Sequence, residues 1–349
     1  MKHTIKNKCN LCFVAGKSGG HTIPALTIAK RIKIQNPDSY IMFFTTDGKL
    51  DKKIVSKNYI VDQYIPLSLE NIPYKNILGY PIFFINLTKA FLKSFYHMLK
   101  NRPKKVISLG GYISIPVCFA AFLLRVPIEL FEPNATPGRA IKLLSPLANT
   151  ISICFSQAKK SLPHKKCKLT DYPIRFQADS DNKPKKQIFK KYNLFQLKQT
   201  LLILGGSQGS IEINNLIKQW AINNPHLHDT VQVIHQTGNH DKTDWATFYK
   251  KIKIPAITFD FKNDISEYYQ LADLVICRSG AGTLFETIFF KKKCITIPLE
   301  TKTTNHQVDN ARAASQLHPK NITAIRQIEI KNGLWQIYSL INEKLELKP

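Results

Sequence analysis

The sequence predicts an α/β protein built from two doubly wound domains in series, each around a parallel sheet. Short, continuously apolar segments recur along the chain and alternate with segments of helical periodicity, as expected for parallel strands buried on both faces. Several of these segments run directly into a glycine-rich turn that opens a helix. At 349 residues the chain has room for two domains of about 150–200 residues.

The first half contains six predicted strands, at 11–15, 41–45, 60–65, 106–109, 128–131 and 151–155, with 151–155 the last. Pro24 opens a predicted helix over 25–34. The apolar run 113–124 is too short to span a bilayer and is predicted to be a buried helix. A polar, lysine-rich stretch with three prolines then indicates a domain boundary near 165–185.

The second half repeats the same alternation, with predicted strands at 200–204, 231–235, 257–259, 274–277 and 295–298. Predicted helices cover 211–222, 264–271 and 332–347. We therefore divide the chain into a first domain, 1–168, a second domain, 169–331, and a terminal helix, 332–349, which we expect to pack back on the first domain.

Composition restricts the partners and the compartment. Lys and Arg number 50 against 24 Asp and Glu, so the net charge of +26 favours an anionic partner: nucleic acid, anionic lipid or a phosphorylated substrate. The lysines are dispersed and lack the interleaved aromatic residues of an RNA-binding sheet, which makes nucleic acid unlikely. Seven irregularly spaced cysteines indicate a reducing, cytosolic environment. Cys9 and Cys12 would face opposite sides of a strand, which argues against a metal or redox site.

The stretch 274–286 reads as strand, tight turn and helix, with Gly280 and Gly282 in the turn. Free backbone N–H groups at such a helix N-terminus can bind a phosphate. A helix beginning near Thr283 would place Glu286 in its first turn, where the carboxylate could accept hydrogen bonds from ligand hydroxyls. The alternative is an ordinary turn in which Glu286 only complements the helix dipole.

Two further glycine loops carry candidate chemistry. Gly205-Gly-Ser-Gln-Gly209 offers N–H groups and the Ser207 hydroxyl at a helix N-terminus, which predicts a second anion site. The alternative is a tight turn that binds no phosphate. In the first half, His21 follows Gly19 and Gly20 at the entrance of a helix and suits proton abstraction at neutral pH, although a helix-capping role is equally open. None of these loops has the order of a Walker A or dinucleotide fingerprint, which disfavours a nicotinamide cofactor.

Taken in order, the loops resemble those of the MurG family of UDP-N-acetylglucosamine transferases, over nearly the whole chain. The motifs that carry the resemblance are Gly16-Lys-Ser-Gly-Gly-His21, Gly110-Gly-Tyr-Ile-Ser114 with Pro116, Gly205-Gly-Ser-Gln-Gly209 with Asn214, Arg278-Ser-Gly-Ala-Gly-Thr283 with Glu286, and His306-Gln-Val-Asp-Asn-Ala311. One motif alone could occur by chance, but five in the family's order are specific.

The resemblance implies a GT-B fold, two Rossmann-like domains with an interdomain cleft, and an inverting transfer that needs neither metal nor cofactor. It implies transfer of N-acetylglucosamine from its UDP donor to the 4-hydroxyl of lipid-linked N-acetylmuramyl-pentapeptide, at the cytoplasmic membrane face. The implied donor-binding residues are Ser18, Gly19, Gly20, Arg175, Ser207, Gln208, Gly209, Ile265, Gly282, Thr283, Glu286, His306 and Gln307. The implied acceptor-binding residues are Gly19, His21, Gly111, Tyr112, Glu132 and Asn134, with His21 and Glu132 catalytic and His21 the favoured base.

Segment 77–100 is rich in aromatic residues and lysines, which fits an enzyme that lies on an anionic membrane. The alternative is a core helix with a solvated lysine face. The chain departs from the family's motifs at Lys17, Phe131, Pro133 and Asp171-Tyr172, mostly on the acceptor side. We hypothesise that Lys17 faces a substrate pyrophosphate. A glycolipid-forming transferase with another acceptor, an inactive UDP-sugar-binding relative and, least favoured, a nucleic-acid binder remain the alternatives.

Overall fold

The computed structural model describes residues 10–16, 19–56, 58–70, 73, 77–176, 184–206, 208–300 and 306–347. The chain divides into two compact units, Met1–Arg175 and Phe176–Pro349. Each unit contains a parallel sheet, as the alternation of apolar strands and helices predicts.

The first unit has a seven-stranded sheet in the order β3-β2-β1-β4-β5-β6-β7. Its elements are β1 (Asn10–Val14), α1 (Gly19–Gln35), β2 (Tyr40–Thr46), α2 (Lys49–Val55), β3 (Gln63–Leu67), α3 (Tyr80–Asn101), β4 (Lys105–Ser108), α4 (Ser114–Leu123), β5 (Ile128–Glu132), α5 (Arg139–Leu144), β6 (Thr150–Ile153) and β7 (Cys167–Leu169). The strand order reverses at β1, whose neighbours are β2 and β4.

The second unit has a six-stranded sheet in the order β10-β9-β8-β11-β12-β13. Its elements are α6 (Lys185–Lys191), β8 (Gln199–Leu204), α7 (Ile211–Asn223), β9 (Val231–Gln236), α8 (Trp245–Lys251), β10 (Ala256–Phe259), α9 (Ser266–Leu271), β11 (Leu274–Cys277), α10 (Ala281–Phe289), β12 (Lys293–Thr296), α11 (His306–Leu317), β13 (Ile322–Ala324), α12 (Gln327–Asn332) and α13 (Leu334–Lys344). Here the strand order reverses at β8, between β9 and β11.

The central strands are buried on both faces, which is why their sequences are continuously apolar instead of alternating. In β11, for example, all four residues are fully buried. Helices cover both faces in a doubly wound sheet, so every side chain of such a strand meets another apolar group. Burial of these strands supplies the cores that hold the loops at the strand ends.

Two edge strands were missed by the sequence prediction, which ended the first sheet at 151–155 and the second at 295–298. The first sheet continues to β7 and the second to β13. Both strands have only three residues and lie at a sheet edge, where β7 exposes two of them. Short edge strands need no continuous apolar run, so the hydrophobic pattern that identifies central strands does not reveal them.

Two helix predictions also need correction. Helix α1 begins at Gly19, so Pro24 lies inside the helix and does not open it. The run 113–124 forms α4, but its far end is not buried, since Phe122 and Leu123 are 51% and 60% exposed. No helix in the described part of the chain is long and apolar enough to cross a membrane.

The terminal helix packs on the second unit, contrary to the prediction that it returns to the first domain. Its apolar face, formed by Ile337, Tyr338 and Ile341, is part of the second hydrophobic core. The indole N–H of Trp220 in α7 donates to Asn342 Oδ1 at 2.9 Å and fixes the contact. The amphipathic pattern predicts a packed helix, but it carries no information on which core receives the apolar face.

Within the described residues, six helices are followed, one or two positions after their last residue, by a non-glycine residue with positive φ. These are Arg102, Arg125, Asn193, Lys253, Lys291 and Glu346, with φ between 43° and 59°. After α4, for instance, the N–H of Val126 donates to Ala121 O at 2.9 Å, and that of Arg125 to Phe122 O at 3.1 Å. This is the paired bonding of a Schellman motif, in which glycine is the usual residue.

Candidate functional site

The first and second glycine loops lie side by side at the point where the first sheet reverses its strand order. They follow Val14 in β1 and Ser108 in β4, which are direct partners in the parallel register. Ligands of open α/β sheets bind at the carboxyl ends of the strands at such a reversal. The fold therefore brings the first-loop residues next to Gly110, Gly111 and Tyr112.

His21 reaches the second loop from the first turn of α1. Gly110 has a φ of +87°, and a Cβ at this position would lie 3.6 Å from His21 Cε1. A Cβ on Gly111, whose φ is +81°, would lie 3.8 Å from the carbonyl oxygen of Gly16. Glycine at 110 and 111 thus permits a backbone that side chains rarely adopt, and it lets the two loops approach each other.

A buried carboxylate, Asp51, supports the first loop and was not singled out by the sequence. It is 1% exposed. Asp51 accepts hydrogen bonds from Thr22 Oγ1, at 3.2 Å, and from the Thr46 hydroxyl. A Cβ on Gly16 would lie 2.9 Å from Asp51 Oδ2. Burial and the charges of Asp47 and Asp51 raise the pKa of Tyr112. Nothing in the local sequence 47–55 distinguishes Asp51 from a surface acid.

Glu132 organises the loop after β5. Its Oε1 accepts the backbone N–H of Asn134 at 2.9 Å and the Asn134 side-chain amide at 2.8 Å. Its Oε2 accepts the N–H of Gly138 at 2.8 Å, and the residue is 2% exposed. The carboxylate therefore fixes the loop that carries Asn134.

In the second unit, the third and fourth loops follow Leu204 in β8 and Cys277 in β11, which are direct partners in the register. This is again the reversal of the strand order, so both helix N-termini, of α7 and α10, open at the same edge of the sheet. The second unit thus presents two adjacent N-termini suited to a diphosphate.

Helix α10 begins at Ala281, with Gly280 as its N-cap. Gly282 and Thr283 lie in its first turn, but Glu286 lies in the second turn, one turn later than the sequence predicts. Glu286 is 7% exposed, which is unusual for a carboxylate that only complements a dipole. A Cβ on Gly280 would meet no described atom within 4 Å, so there is open space in front of this N-terminus.

Arg278 ties the third and fourth loops together. Its Nη2 donates to Ser210 Oγ, the N-cap of α7, at 2.7 Å and to Glu212 Oε2 at 2.9 Å, while Nη1 donates to the carbonyls of Ile297 and Pro298. Arg278 is 6% exposed, and burial lowers its pKa although Glu212 opposes the shift. The sequence shows Arg278 inside a motif but gives no sign of this cross-link.

Gln307 lies in the first turn of α11, next to His306. Its Oε1 accepts the N–H of Leu299 at 2.9 Å, which fixes the orientation of the amide. One turn later, Asn310 is 1% exposed and donates to Ser279 O, in the fourth loop, at 3.2 Å. The start of α11 is therefore attached to the donor loop.

The remaining predicted site residues are distributed as follows. Lys17, Ser18 and Ser207 lie outside the described residues. Gln208 is exposed and Gly209 half-buried in the third loop, and Ile265 is 7% exposed at the start of α9. Arg175 is the last residue of the first unit. Gly19 and Gly20 begin α1.

Fold and loops together define a class: a two-unit α/β transferase of the GT-B type. Residues 11–153 match the glycosyltransferase family 28 N-terminal domain, and residues 200–347 match the C-terminal domain of the same family. The chain belongs to glycosyltransferase family 28, as a member of the MurG family.

Relatives from several bacteria agree with this assignment. The chain is 32% identical, over 86% of its length and 81% of the relative's, to the UDP-N-acetylglucosamine–N-acetylmuramyl-(pentapeptide) pyrophosphoryl-undecaprenol N-acetylglucosamine transferase of Thermodesulfovibrio yellowstonii. It is 31% identical to the Myxococcus xanthus enzyme of the same name, over 86% and 76% of the two chains. Crystalline MurG of Acinetobacter baumannii has the same fold, with a TM-score of 0.71 at 21% identity over 97% of this chain and 92% of that one.

Proposed function

We propose that this enzyme transfers N-acetylglucosamine from UDP-N-acetylglucosamine to the 4-hydroxyl of lipid-linked N-acetylmuramyl-pentapeptide, the step that completes the lipid-linked precursor of peptidoglycan. The observation that carries the proposal is the similarity to transferases of this name over more than four fifths of the chain. The paired helix N-termini of the second unit support a nucleotide diphosphate donor.

In the proposed mechanism, His21 removes the proton from the acceptor hydroxyl, whose oxygen then attacks the anomeric carbon from the face opposite the UDP group. The anomeric configuration is therefore inverted. As the bond to UDP breaks, negative charge develops on the diphosphate, and the N-termini of α7 and α10 stabilise it. Arg175 adds a positive charge, so no metal ion is required for this role.

Donor recognition is proposed to divide between Glu286 and Gln307. The buried carboxylate of Glu286 would accept hydrogen bonds from the ribose hydroxyls. Gln307 Oε1 accepts from Leu299, so the amide N–H groups of Gln307 would be the donors to hydroxyls of the transferred sugar.

The proposed acceptor is lipid-linked, and the surface of the first unit supports a peripheral attachment to an anionic membrane on the cytoplasmic side. Helix α3 buries one face, at Ala90, Ser94 and Met98. A second apolar stripe on α3 is exposed; it comprises Ile82, Ile85, Leu92, Tyr96 and Leu99, which are 51–64% exposed. Lys89, Lys93 and Lys100 are also exposed on this helix.

Helix α4 packs against α3 and adds the exposed Phe119, Phe122 and Leu123. Within segment 77–100, Phe83, Phe91 and Phe95 pack on the core, whereas the exposed stripe is mainly aliphatic. Exposed apolar groups beside lysines are the combination that binds the surface of an anionic bilayer.

A direct test uses radiolabelled UDP-N-acetylglucosamine with a lipid-linked muramyl-pentapeptide in detergent. Label should move to the lipid fraction in a time-dependent reaction that persists in EDTA. Binding of UDP without any transfer to this acceptor would favour a transferase with another acceptor or an inactive relative. Absence of UDP binding would contradict the donor assignment as well.

A further inference from the structure

Asn214 lies at the end of the first turn of α7, behind the third loop, and is completely buried. Its side-chain nitrogen donates to the carbonyl oxygen of Thr237 at 2.9 Å and to Asp241 Oδ2 at 2.8 Å. Because the carbonyl and the carboxylate can only accept hydrogen bonds, these two contacts fix which end of the amide is nitrogen. The amide oxygen, Oδ1, therefore faces His235.

His235, at the end of β9, completes this network and has one possible tautomer. Its Nε2 lies 3.0 Å from Asn214 Oδ1, which can only accept, so Nε2 carries the proton. Its Nδ1 lies 3.0 Å from the Tyr249 hydroxyl and accepts from it. His235 is 0% exposed, and burial lowers its pKa to about 3, against a smaller opposite effect of Asp241. The imidazole is therefore neutral at working pH.

The network ends on the backbone that supports the third loop. Thr237 and Gly238 form a turn pressed against Gln208 and Gly209. A Cβ on Gly209 would lie 2.5 Å from Thr237 O, and a Cβ on Gly238 would lie 2.4 Å from Gln208 O. No side chain fits between the two turns, so a displacement of Thr237 must be transmitted to the third loop.

We infer that His235 is a positioning residue for the donor diphosphate. His235 holds the Asn214 amide, and this amide holds the Thr237 carbonyl. The turn at Thr237 in turn sets the position of Gln208 and Gly209 in the third loop. The inference rests on the proposed function, in which this loop binds the diphosphate of the UDP-sugar. His235 does not touch the substrate in this scheme, and it transfers no proton during the reaction.

A positioning role for His235 and a role in core packing alone predict different effects of substitutions. A side chain of similar size without a donor fills the space but leaves Asn214 Oδ1 buried without a hydrogen bond. The amide can then rotate, and the Thr237 turn loses its fixed position. A glutamine places an N–H group near the position of Nε2 and preserves the contact with Asn214.

The experiment compares His235→Leu, His235→Gln and Asn342→Leu with the wild-type enzyme. Asn342→Leu is the matched control, because it removes the partner of the buried Trp220 indole in the same unit, away from the third loop. Each variant is tested by calorimetry with UDP, by steady-state kinetics with UDP-N-acetylglucosamine and by thermal unfolding.

We expect His235→Leu to raise the Kd for UDP and the KM for the donor about tenfold, with a smaller change in kcat, the pattern of weakened donor binding. His235→Gln should recover most of the affinity. Asn342→Leu should lower Tm while leaving Kd and KM unchanged.

A wild-type Kd in folded His235→Leu, with only Tm reduced, would overturn the inference and make His235 a packing residue. If that variant does not fold, Asp241→Asn approaches the same amide from a half-buried position, and an unchanged Kd there would overturn the inference. Failure of the wild-type enzyme itself to bind UDP would refute the proposed donor site. This outcome differs from failure of the inference about His235, in which the wild-type enzyme binds UDP and the variants bind it equally well.

Discussion

The two units share the order of their first six strands but differ in the crossover helix that follows the third strand of each sheet. In the first unit this helix is α3, with 22 residues and an exposed apolar stripe. In the second unit it is α9, with six residues, in which Tyr268, Tyr269 and Leu271 are at most 4% exposed. The same connection is thus long and exposed in one unit and short and buried in the other.

The glycine loops differ in a related way. Those of the second unit are cross-linked by buried polar side chains, with Arg278 joining two loops and Asn214 holding the turn behind one of them. In the first unit Asp51 supports the first glycine loop, whereas Glu132 supports the loop after β5, which is not one of the glycine loops. In the proposed function, the unit with cross-linked loops binds the nucleotide, and the unit with the exposed helix binds the lipid-linked acceptor. The predictions below test this division.

The largest effect is expected for His21→Ala in the first unit. Loss of a general base should lower kcat about 10²–10⁴-fold, while the Kd for UDP stays unchanged because the proposed mechanism gives His21 no contact with the nucleotide. Steady-state turnover and calorimetry measure the two quantities, with the exposed His164→Ala as control. Equal losses of turnover and UDP affinity would mean that His21 is not confined to the acceptor side.

Glu286→Ala, in the second unit, should act on binding of the nucleotide. We expect it to weaken UDP binding by roughly 10–100-fold, because hydrogen bonds to a charged group contribute about 1.5–3 kcal/mol. Calorimetry with UDP measures the change. The exposed carboxylate of Glu343, replaced by Ala, serves as control. If Glu286→Ala binds UDP as tightly as the wild-type enzyme, the nucleotide is held elsewhere.

Replacing Ile85 and Leu92 by Ser should reduce binding to anionic vesicles by roughly tenfold, since even partial burial of two such side chains contributes about 1–3 kcal/mol. Both side chains belong to the exposed stripe of α3, whereas Phe83 packs on the core and is unsuitable. Co-sedimentation with vesicles is the measurement.

The control for the vesicle experiment carries Leu197→Ser and Trp335→Ser, at residues that are 99% and 70% exposed in the second unit. Loss of binding in both double variants would indicate general apolar adsorption and remove the distinction between the two units.

The last prediction concerns the acid stability of the second unit. The pKa of folded His235, about 3, lies below the 6.5 of an exposed histidine, so the unfolded chain binds a proton that the folded chain excludes. Stability should therefore be complete above pH 6.5 and fall as pH decreases toward 3, by up to about 1.4 kcal/mol per pH unit. Denaturant unfolding of the wild-type enzyme and His235→Gln between pH 7 and 4 tests this, and parallel curves would contradict it.

The sequence predicted the central strands because burial on both faces leaves a continuous apolar run. It also predicted the glycine loops, because tight turns at helix N-termini require particular residues. It could not predict β7, β13 or the docking of α13, which depend on edges and tertiary contacts. Its helix start at Thr283 was wrong, since the turn at Gly280 ends earlier than the glycine pattern implies. Asp51 and His235 were missed because their partners are distant along the chain.

The helix ends described above place part of the chain's positive charge at the C-termini of helices. Glycine is scarce, at 15 of 349 residues, and four of the six left-handed helix ends carry Arg or Lys instead. A left-handed residue with a side chain costs about 1–2 kcal/mol, and a cation at a helix C-terminus recovers about 0.3–1 kcal/mol through the dipole. The cation at such a helix end therefore offsets part of the backbone cost that glycine would have avoided.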